Sequence, residues 1–324
     1  MSTSLPTVHV LAAVIEDQAG RVLITRRPPH RPHGGLWEFP TGKRRSGESR
    51  LDALRRELHA ELGIDVVDAH PLITVHHRCP GHRVMLDVWR LRQYQGTVRG
   101  REGRAVCWVA PARLSQYAFR AADIPVITAA RLPGRYLITP EPEDEAVFLA
   151  TLEARLAEGA RLVQLRARRL NNQACARLAK EVANLCRDYQ ATWLANASPE
   201  QAIALHADGV HLSAARLRAL DHRPLGRDRW VAASCHNAAE LQHAGRIGVD
   251  FAVLSPVNST RSHPGARPLG WEGFGALCDA ARLPVFALGG MGTEDLAQAR
   301  EHGAQGVAGI SRFWNRPRAG GPQC

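Results

Sequence analysis

The chain is poor in lysine and aromatic residues and lacks long apolar runs. Lysine occurs only at Lys43 and Lys180, so arginine supplies nearly all of the positive charge. Aromatic residues make up 6% of the chain and do not alternate with basic residues, and no helix-turn-helix pattern is present. We therefore expect neither a membrane partner nor specific nucleic-acid binding. The formal net charge of +11 fits a protein that binds phosphates, although the arginines are scattered.

Cysteine is also sparse and poorly placed for cross-linking. The seven cysteines are widely spaced and include no C-x-x-C pair, which argues against a disulfide framework or a zinc site. The first residues lack a basic leader, and their short apolar run is typical of a first strand rather than a signal peptide. These features predict a cytoplasmic protein.

The length of 324 residues exceeds what one compact core usually holds, so we expect two domains. The sequence changes character near Pro133-Gly134, a dipeptide that often interrupts regular structure. We predict domains at 1–131 and 135–314. The Pro- and Gly-rich tail at 315–324 is predicted to be disordered.

The first half has the pattern of a mixed α+β unit. Apolar residues at helical spacing predict a helix over Arg50 to Leu62, with Gly63 as its stop. A polar turn between the first two apolar runs is typical of a β-hairpin. The predicted strands are Val8 to Ile15, Arg21 to Thr25, Leu72 to His76, Arg83 to Tyr94 and Ala105 to Val109.

The second half alternates short apolar runs with stretches of helix length or with loops. There are eight such runs: YLIT, LVQLR, TWLAN, GVHL, WVAAS, FAVLS, PVFAL and GVAGI. This rhythm predicts a (β/α)₈ barrel.

Two carboxylates in the first half are spaced to share a cation. Glu57 and Glu61 are four residues apart on the predicted helix and so project from one face. Mg²⁺ prefers oxygen ligands and keeps several waters, so two carboxylates with substrate phosphates make a suitable site. The alternative is that these acids belong to a solvated, charged helix.

The segment GKRRSGESRLDALRRELHAELGI resembles the signature of the Nudix family, G-x5-E-x7-R-E-U-x-E-E-x-G-U, in which U is aliphatic. The resemblance implies an α/β/α sandwich and a pyrophosphohydrolase that uses Mg²⁺, or Mn²⁺ in its place. It also implies that Glu48 and Arg56 brace the catalytic loop. The implied metal set is Gly42, Glu57, Glu61 and the loop residue Glu102. The matching positions are Gly42, Glu48, Arg56, Glu57, Leu58, Glu61, Gly63 and Ile64.

The segments LITRRPP, LWEFPTGK and IPVI extend the likeness to the MutT-like members of this family. This likeness implies that Arg27, Phe39 and Asp123 lie near the nucleotide. It also implies that the substrate is 8-oxo-dGTP and that the enzyme removes this oxidised nucleotide from the nucleotide pool. Phe39 is equally well explained as a core aromatic. Asp123 stands where an asparagine is usual, which puts the base preference in doubt. Ala60 replaces the first glutamate of the E-E pair, so one metal ligand is missing.

The second half resembles the thiamine-phosphate synthase and TenI superfamily, whose members are (β/α)₈ barrels. The resemblance implies a phosphate or ligand site at Gln164, Arg166, His236, Gly289, Gly290 and Ser311. The two aspartates that hold Mg²⁺ and pyrophosphate in the synthases are absent, because the corresponding segments read Asn196-Ala197 and Ser213-Ala214-Ala215. We therefore expect a barrel without synthase activity. His236 has either a proton-transfer role or an ordinary packed one.

Three hypotheses stay open for the whole chain. The first is a pyrophosphohydrolase of 8-oxo-dGTP or a related nucleoside triphosphate, joined to a degenerate barrel. The second is a Nudix hydrolase of a thiamine-related pyrophosphate, which the fused barrel would explain. The third is a binding protein in which Ala60 has silenced the hydrolase and the barrel senses a phosphorylated small ligand.

Overall fold

The computed structural model describes residues 6–30, 32–79, 81–101, 103–259, 265 and 267–315, leaving aside the side chain of Arg78. These residues fall into two compact units divided between Arg131 and Leu132. Apart from Asn315, the tail predicted at 315–324 lies outside the described residues, as does Glu102.

The first unit contains two sheets and two α-helices. One sheet has the strand order β4-β1-β6-β5 and the other the order β3-β2-β7. Two short 3₁₀ turns, Pro111–Gln116 and Ala121–Asp123, precede the second helix. The elements are β1 (Thr7–Ile15), β2 (Val22–Arg26), β3 (Trp37–Glu38), β4 (Thr41–Lys43), α1 (Arg50–Leu62), β5 (Asp65–Cys79), β6 (His82–Gln95), β7 (Val106–Val109) and α2 (Ile124–Arg131).

Strand β1 shows why the first unit has three layers. Successive side chains of a strand point to opposite faces. Leu11 and Ala13 therefore pack in one core with residues of α1, such as Leu58. Ala12 and Val14 pack in the other core, which includes residues of α2. Both faces of the sheet are therefore covered by a helix. This arrangement is the predicted α/β/α sandwich.

The predicted hairpin between the first two strands is wrong. The strands β1 and β2 belong to different sheets and are connected by one isolated bridge, between Glu16 and Val22. Strand β1 already pairs with β4 on one edge and with β6 on the other, so no edge is left for a ladder with β2. The predicted strand at Leu72 is also too short, because pairing between β5 and β6 continues through several β-bulges and polar residues.

Helix α1 has the predicted bounds, and local chemistry explains both ends. Ser49 accepts a hydrogen bond from the backbone N–H of Asp52, which satisfies one donor of the first turn. Gly63 has a φ of 70°, a left-handed conformation that glycine adopts without a Cβ penalty, and its N–H bonds to the carbonyl of His59. The apolar face packs into the sheet through Leu54, Leu58 and Leu62.

The second unit is a closed barrel of eight parallel strands, as predicted. Each strand pairs with a neighbour on both edges. Tyr136, Phe251 and Phe286 lie in the interior and make mutual edge or tilted ring contacts. The strands are β8 (Arg135–Ile138), β9 (Leu162–Leu165), β10 (Thr192–Ala195), β11 (Gly209–Leu212), β12 (Trp230–Cys235), β13 (Phe251–Leu254), β14 (Val285–Ala287) and β15 (Gly306–Gly309).

Helices cover the outside of the barrel through a large apolar core. None of the helices in the described part of the chain has both the length and the apolar character that a membrane crossing requires. The helices are α3 (Glu145–Ala157), α4 (Asn172–Asp188), α5 (Pro199–Ala204), α6 (Ala214–Arg218), α7 (Ala238–Ile247), α8 (Gly270–Ala280), α9 (Leu296–Glu301) and α10 (Ser311–Trp314).

Candidate functional site

A bidentate ion pair joins the loop before α1 to the helix itself. Arg56 Nε lies 2.7 Å from Glu48 Oε1, and Arg56 Nη2 lies 2.9 Å from Glu48 Oε2. Arg56 also donates to the carbonyl of Lys43 on β4, at 3.0 Å. The hydrogen bond from Arg56 is the main reason why the pKa of Glu48 falls to about 2. Glu48 is therefore ionised in neutral buffer, and the pair fixes the loop against the helix.

Glu57 lies directly over Gly42. A Cβ at position 42 would overlap Cγ and the carboxyl group of Glu57, so only glycine leaves room for this carboxylate. Gly42 pairs with Leu11 across the sheet, which fixes its backbone under the helix. Arg56 contacts the Glu57 carboxylate from the neighbouring position.

Glu61 is a largely buried carboxyl group with one paired oxygen and one that is unpaired among the described residues. Its Oε1 lies 3.0 Å from Arg104 Nη2, whereas its Oε2 is buried and accepts no hydrogen bond from any described residue. The pKa of Glu61 is raised to about 7, mainly by burial; Arg104 lowers it, whereas the charges of Glu38 and Glu57 add to the rise. A buried carboxylate oxygen without a partner is a donor atom available to a cation.

The position of Glu102 cannot be compared with the prediction, since it lies outside the described residues. The segments that flank it are tied to the end of α1: the N–H of Arg99 bonds to the carbonyl of Leu62, and that of Arg101 bonds to the carbonyl of Glu61. Among the described residues, no group of three or more His, Cys, Asp or Glu side chains is arranged to hold a metal. Of the carboxylates in the predicted metal set, Glu57 and Glu61 are described.

Sequence reasoning missed Glu38, which lies at the centre of the site. Its side chain is 1% exposed, with Arg27 Nη1 at 2.7 Å, Arg120 Nη1 at 3.4 Å and Arg104 Nη1 at 3.6 Å from its carboxylate oxygens. A buried carboxylate needs such compensation because burial disfavours its charge. The available signal was an acid between Trp37 and Phe39, two large apolar residues on a short strand.

The same network reaches Asp123, which is fully buried. Arg120 binds its carboxylate through Nε at 2.9 Å and through Nη2 at 3.2 Å. Burial is the largest influence and raises the pKa of Asp123, while Arg120 acts in the opposite direction. The buried charges therefore run without a break from Asp123 through Arg120, Glu38 and Arg104 to Glu61.

Arg27 and Phe39, both predicted to contact the nucleotide, differ in their surroundings. Arg27 is anchored by Glu38 and by the carbonyl of Pro32, which its Nε approaches to 2.5 Å. Phe39 is fully buried and stacks on Phe119 with ring centroids 5.4 Å apart. That contact favours the core-aromatic alternative for Phe39.

A chain of neutral hydrogen bonds crosses the barrel. Asn196 Nδ2 donates to Gln164 Oε1 at 2.9 Å, and Gln164 Nε2 donates to the hydroxyl of Tyr136 at 3.3 Å. That hydroxyl lies 3.1 Å from His211 Nδ1, and His211 Nε2 lies 2.9 Å from Ser234 Oγ. Burial lowers the pKa of His211 to about 3, so the ring is neutral. Gln164 is thus part of an interior network.

His236 follows β12 and has one fixed ring nitrogen. Its Nδ1 lies 2.8 Å from the carbonyl of Ser255. A carbonyl can only accept, so Nδ1 carries a proton, and in the neutral ring Nε2 is the nitrogen with the lone pair. The backbone N–H of His236 donates to Glu240, which holds the turn. The ring is therefore oriented as a base would be, at the end of a barrel strand.

The other predicted barrel residues lie on loops after strands. Gly289 and Gly290 follow β14 with φ angles of 122° and 70°, and the carbonyl of Gly290 accepts from Arg312. Arg166 donates its backbone N–H to Thr139 Oγ1 at 3.0 Å, and Ser311 begins the four-residue helix α10. Their role in binding phosphate stays a prediction.

The two units define two classes of protein: an α/β/α sandwich whose helix presents paired carboxylates beside a buried charge network, and a parallel (β/α)₈ barrel. Family models match both. Residues 11–129 match the NUDIX domain, and residues 135–313 match the model described as thiamine monophosphate synthase. The chain therefore belongs to the Nudix family through its first unit and to the thiamine monophosphate synthase family through its second.

Two curated relatives correspond to the two units. The "Putative thiamine-phosphate synthase 2" of Aquifex aeolicus is 37% identical over 182 residues, which is 56% of this chain and 98% of the relative. The "CTP pyrophosphohydrolase" of Escherichia coli is 35% identical over 122 residues, which is 38% of this chain and 90% of the relative. Against other synthases, such as that of Synechocystis, the chain spans about half of the relative's length.

One solved structure also matches part of this chain. A MutT structure from work on Aliivibrio salmonicida and Vibrio cholerae is 35% identical and covers 38% of this chain and 96% of its own, with a TM-score of 0.35.

Proposed function

We propose that the first unit hydrolyses nucleoside triphosphates to the nucleoside monophosphate and pyrophosphate. Water adds to a phosphorus, the anhydride P–O bond breaks, and the pyrophosphate leaves with the electron pair of that bond. The observation that carries this proposal is the unpartnered Oε2 of Glu61 beside Glu57, on a helix that the Glu48–Arg56 pair fixes. Membership of the Nudix family supports it.

The donor set fits Mg²⁺, or Mn²⁺ in its place. Glu57 and Glu61 supply carboxylate oxygens, Gly42 leaves the space that Glu57 needs, and Glu102 is the further ligand that the family resemblance implies. When bound, a divalent cation neutralises phosphate charge and acidifies water. The protein's own part is to hold these oxygens in place and to keep the site largely dry around Glu61.

Asp123 is the residue through which we expect the base to be recognised. Its ion pair with Arg120 favours the carboxylate form, which only accepts hydrogen bonds. A carboxylate can accept two from the N1–H and the 2-amino group of a guanine ring. This supports 8-oxo-dGTP as the first candidate substrate and nucleotide-pool cleansing as the purpose.

A second candidate is CTP, which two observations favour. One relative is named a CTP pyrophosphohydrolase, and burial raises the pKa of Asp123, which favours the protonated form. A protonated carboxyl group can donate to N3 of cytosine while its carbonyl oxygen accepts from the 4-amino group. The protonation state of Asp123 thus decides between the two bases.

The two candidates predict a pH-dependent preference. Below the pKa of Asp123 the acid form pairs with cytosine, and above it the carboxylate pairs with guanine. We therefore expect the ratio of kcat/KM for CTP to that for 8-oxo-dGTP to fall as pH rises through the pKa of Asp123, which burial raises above its ordinary value. Steady-state assays with both substrates in one buffer series measure this ratio, and groups common to both reactions cancel in it.

Asp123→Asn is the matched variant. An amide has the same donor and acceptor at every pH, so this variant should lose the pH dependence of the ratio. A ratio that changes with pH in the variant as it does in the wild type would show that Asp123 does not recognise the base. Thiamine pyrophosphate in the same panel tests the thiamine-related alternative; tight nucleotide binding without any turnover would favour a binding protein.

We propose that the barrel binds a phosphorylated small molecule. Nε2 of His236 is the candidate general base of the barrel. Its residues do not fit a divalent cation, because the segments Asn196-Ala197 and Ser213-Ala214-Ala215 lack the two aspartates that the resemblance to the synthases implies there. The alternative is retained synthase activity, which the name of the Aquifex aeolicus relative suggests.

We expect the full chain to form no thiamine phosphate from the pyrimidine pyrophosphate and the thiazole phosphate in Mg²⁺, because no carboxylate remains there to hold the cation that neutralises the leaving pyrophosphate. Chromatographic detection of thiamine phosphate measures this, with an active synthase as positive control. Product formation by this chain, lost in His236→Asn, would assign condensation to the barrel instead.

A further inference from the structure

Arg104 lies between two buried carboxylates of the proposed hydrolase site. Its guanidinium bridges Glu61, at 3.0 Å, and Glu38, at 3.6 Å, and its side chain is 14% exposed. It therefore places a permanent positive charge against Glu61, one of the two described carboxylates that we propose as ligands of the cation. The neighbouring position that usually supplies a further carboxylate in this family is Ala60.

We propose that Arg104 is a resident cation of the hydrolase site: it occupies Glu61 in the metal-free protein, competes there with the divalent cation, and supplies positive charge to the substrate's phosphates once the cation has taken Glu61. This inference rests on the proposed function of the first unit. It adds a positioning residue that the family signature does not contain.

Charge balance supports the proposal. Glu38 has two other guanidinium partners, Arg27 and Arg120, so it does not depend on Arg104. The contact with Glu61 is different, because Arg104 forms the ion pair with Glu61 Oε1, and the other Glu61 oxygen has no partner among the described residues. A divalent cation that binds Glu61 must therefore displace or tolerate a positive charge a few ångströms away.

The chemistry of guanidinium explains why an arginine suits both states. Its planar fork binds a carboxylate and a phosphate equally well, and it stays charged at every pH of interest. A site that lacks a carboxylate at position 60 binds fewer divalent cations and so offers less positive charge to the substrate's phosphates. The guanidinium of Arg104 replaces part of that positive charge. The result is a site that depends less on a second cation.

The test measures Mn²⁺ binding to the full-length, nucleotide-free protein by calorimetry and by electron paramagnetic resonance. Arg104→Gln should bind Mn²⁺ about tenfold more tightly than the wild type, because a competing unit charge is gone. Arg104→Lys, which keeps the charge, should stay close to the wild type. Arg99→Gln removes an equal charge from the same segment at an exposed position and serves as the matched control. Glu57→Gln identifies the signal that belongs to this site.

The second measurement is turnover. We expect the same substitution that strengthens Mn²⁺ binding to weaken turnover. Arg104→Gln should raise KM for the triphosphate and lower kcat at saturating Mg²⁺, although it binds the metal more tightly. A merely structural role would weaken both. Arg104→Met keeps the side chain's apolar stem and answers the same question if the glutamine variant misfolds.

Mn²⁺ affinity in Arg104→Gln and Arg104→Met equal to or weaker than that of the wild type would overturn the proposal. Because this readout needs no nucleotide, it remains decisive even if no triphosphate is hydrolysed. Failure of the proposed hydrolase function would instead show as absent turnover in the wild type.

Discussion

Replacing Glu57 by glutamine should reduce pyrophosphate release from nucleoside triphosphates by about 10²- to 10³-fold. The amide keeps the size of the side chain and its place over Gly42, but it removes the negative charge that a divalent cation needs. The measurement is pyrophosphate release from 8-oxo-dGTP and CTP by the full chain at several Mg²⁺ concentrations. Mn²⁺ binding should weaken in parallel.

Asp52→Asn is the matched control, since Asp52 lies in the first turn of the same helix and its side chain is 64% exposed. The variant makes the same acid-to-amide change without touching the site, so its turnover should stay near that of the wild type. Turnover by Glu57→Gln within a few-fold of the wild type would show that this carboxylate does not hold the cation.

Features set by local spacing were predictable. Helix α1 has the expected bounds because its apolar period, its Ser49 cap and its Gly63 stop all lie within one short segment. The barrel followed from a repeated pattern of the same kind, since each parallel strand is buried on both faces and appears as a short apolar run.

Features set by pairing between distant segments were not predictable. The division into two sheets depends on which strands pair with the edges of β1. These are β4 and β6, whereas the short turn after β1 had predicted β2. The charge network is of the same kind: Glu38, Arg104 and Arg120 come from separate loops and strands, and no spacing in the sequence relates them. The chain contains many arginines, so its composition does not distinguish Arg104 and Arg120 from the others.

The charge network links the two ends of the hydrolase site. Asp123 and Glu61 do not touch, yet both share partners with Glu38 through Arg120 and Arg104. A change of charge at one end therefore changes the field at the other, in a largely dry environment where such interactions are strong. Base recognition and metal binding are accordingly expected to be coupled in this unit.

Gly42→Ala should lower triphosphate hydrolysis by about tenfold or more, because a displaced reactive group costs this much even when the shift is near 1 Å. The added Cβ would overlap the Glu57 side chain, so the carboxylate must leave its place over β4. Gly42 does not have a positive φ, so alanine there introduces no backbone strain of the left-handed kind. The measurements are kcat, Mn²⁺ affinity and the free energy of unfolding.

Gly47→Ala provides the opposite case in the same loop. Gly47 has a φ of 76°, but a Cβ there would meet no atom within 4 Å. Alanine should therefore cost about 1 kcal/mol of unfolding free energy through backbone strain while leaving Glu57 in place and turnover nearly intact. Loss of activity in Gly47→Ala but not in Gly42→Ala would mean that loop conformation, and not the space beneath Glu57, sets the geometry of the site.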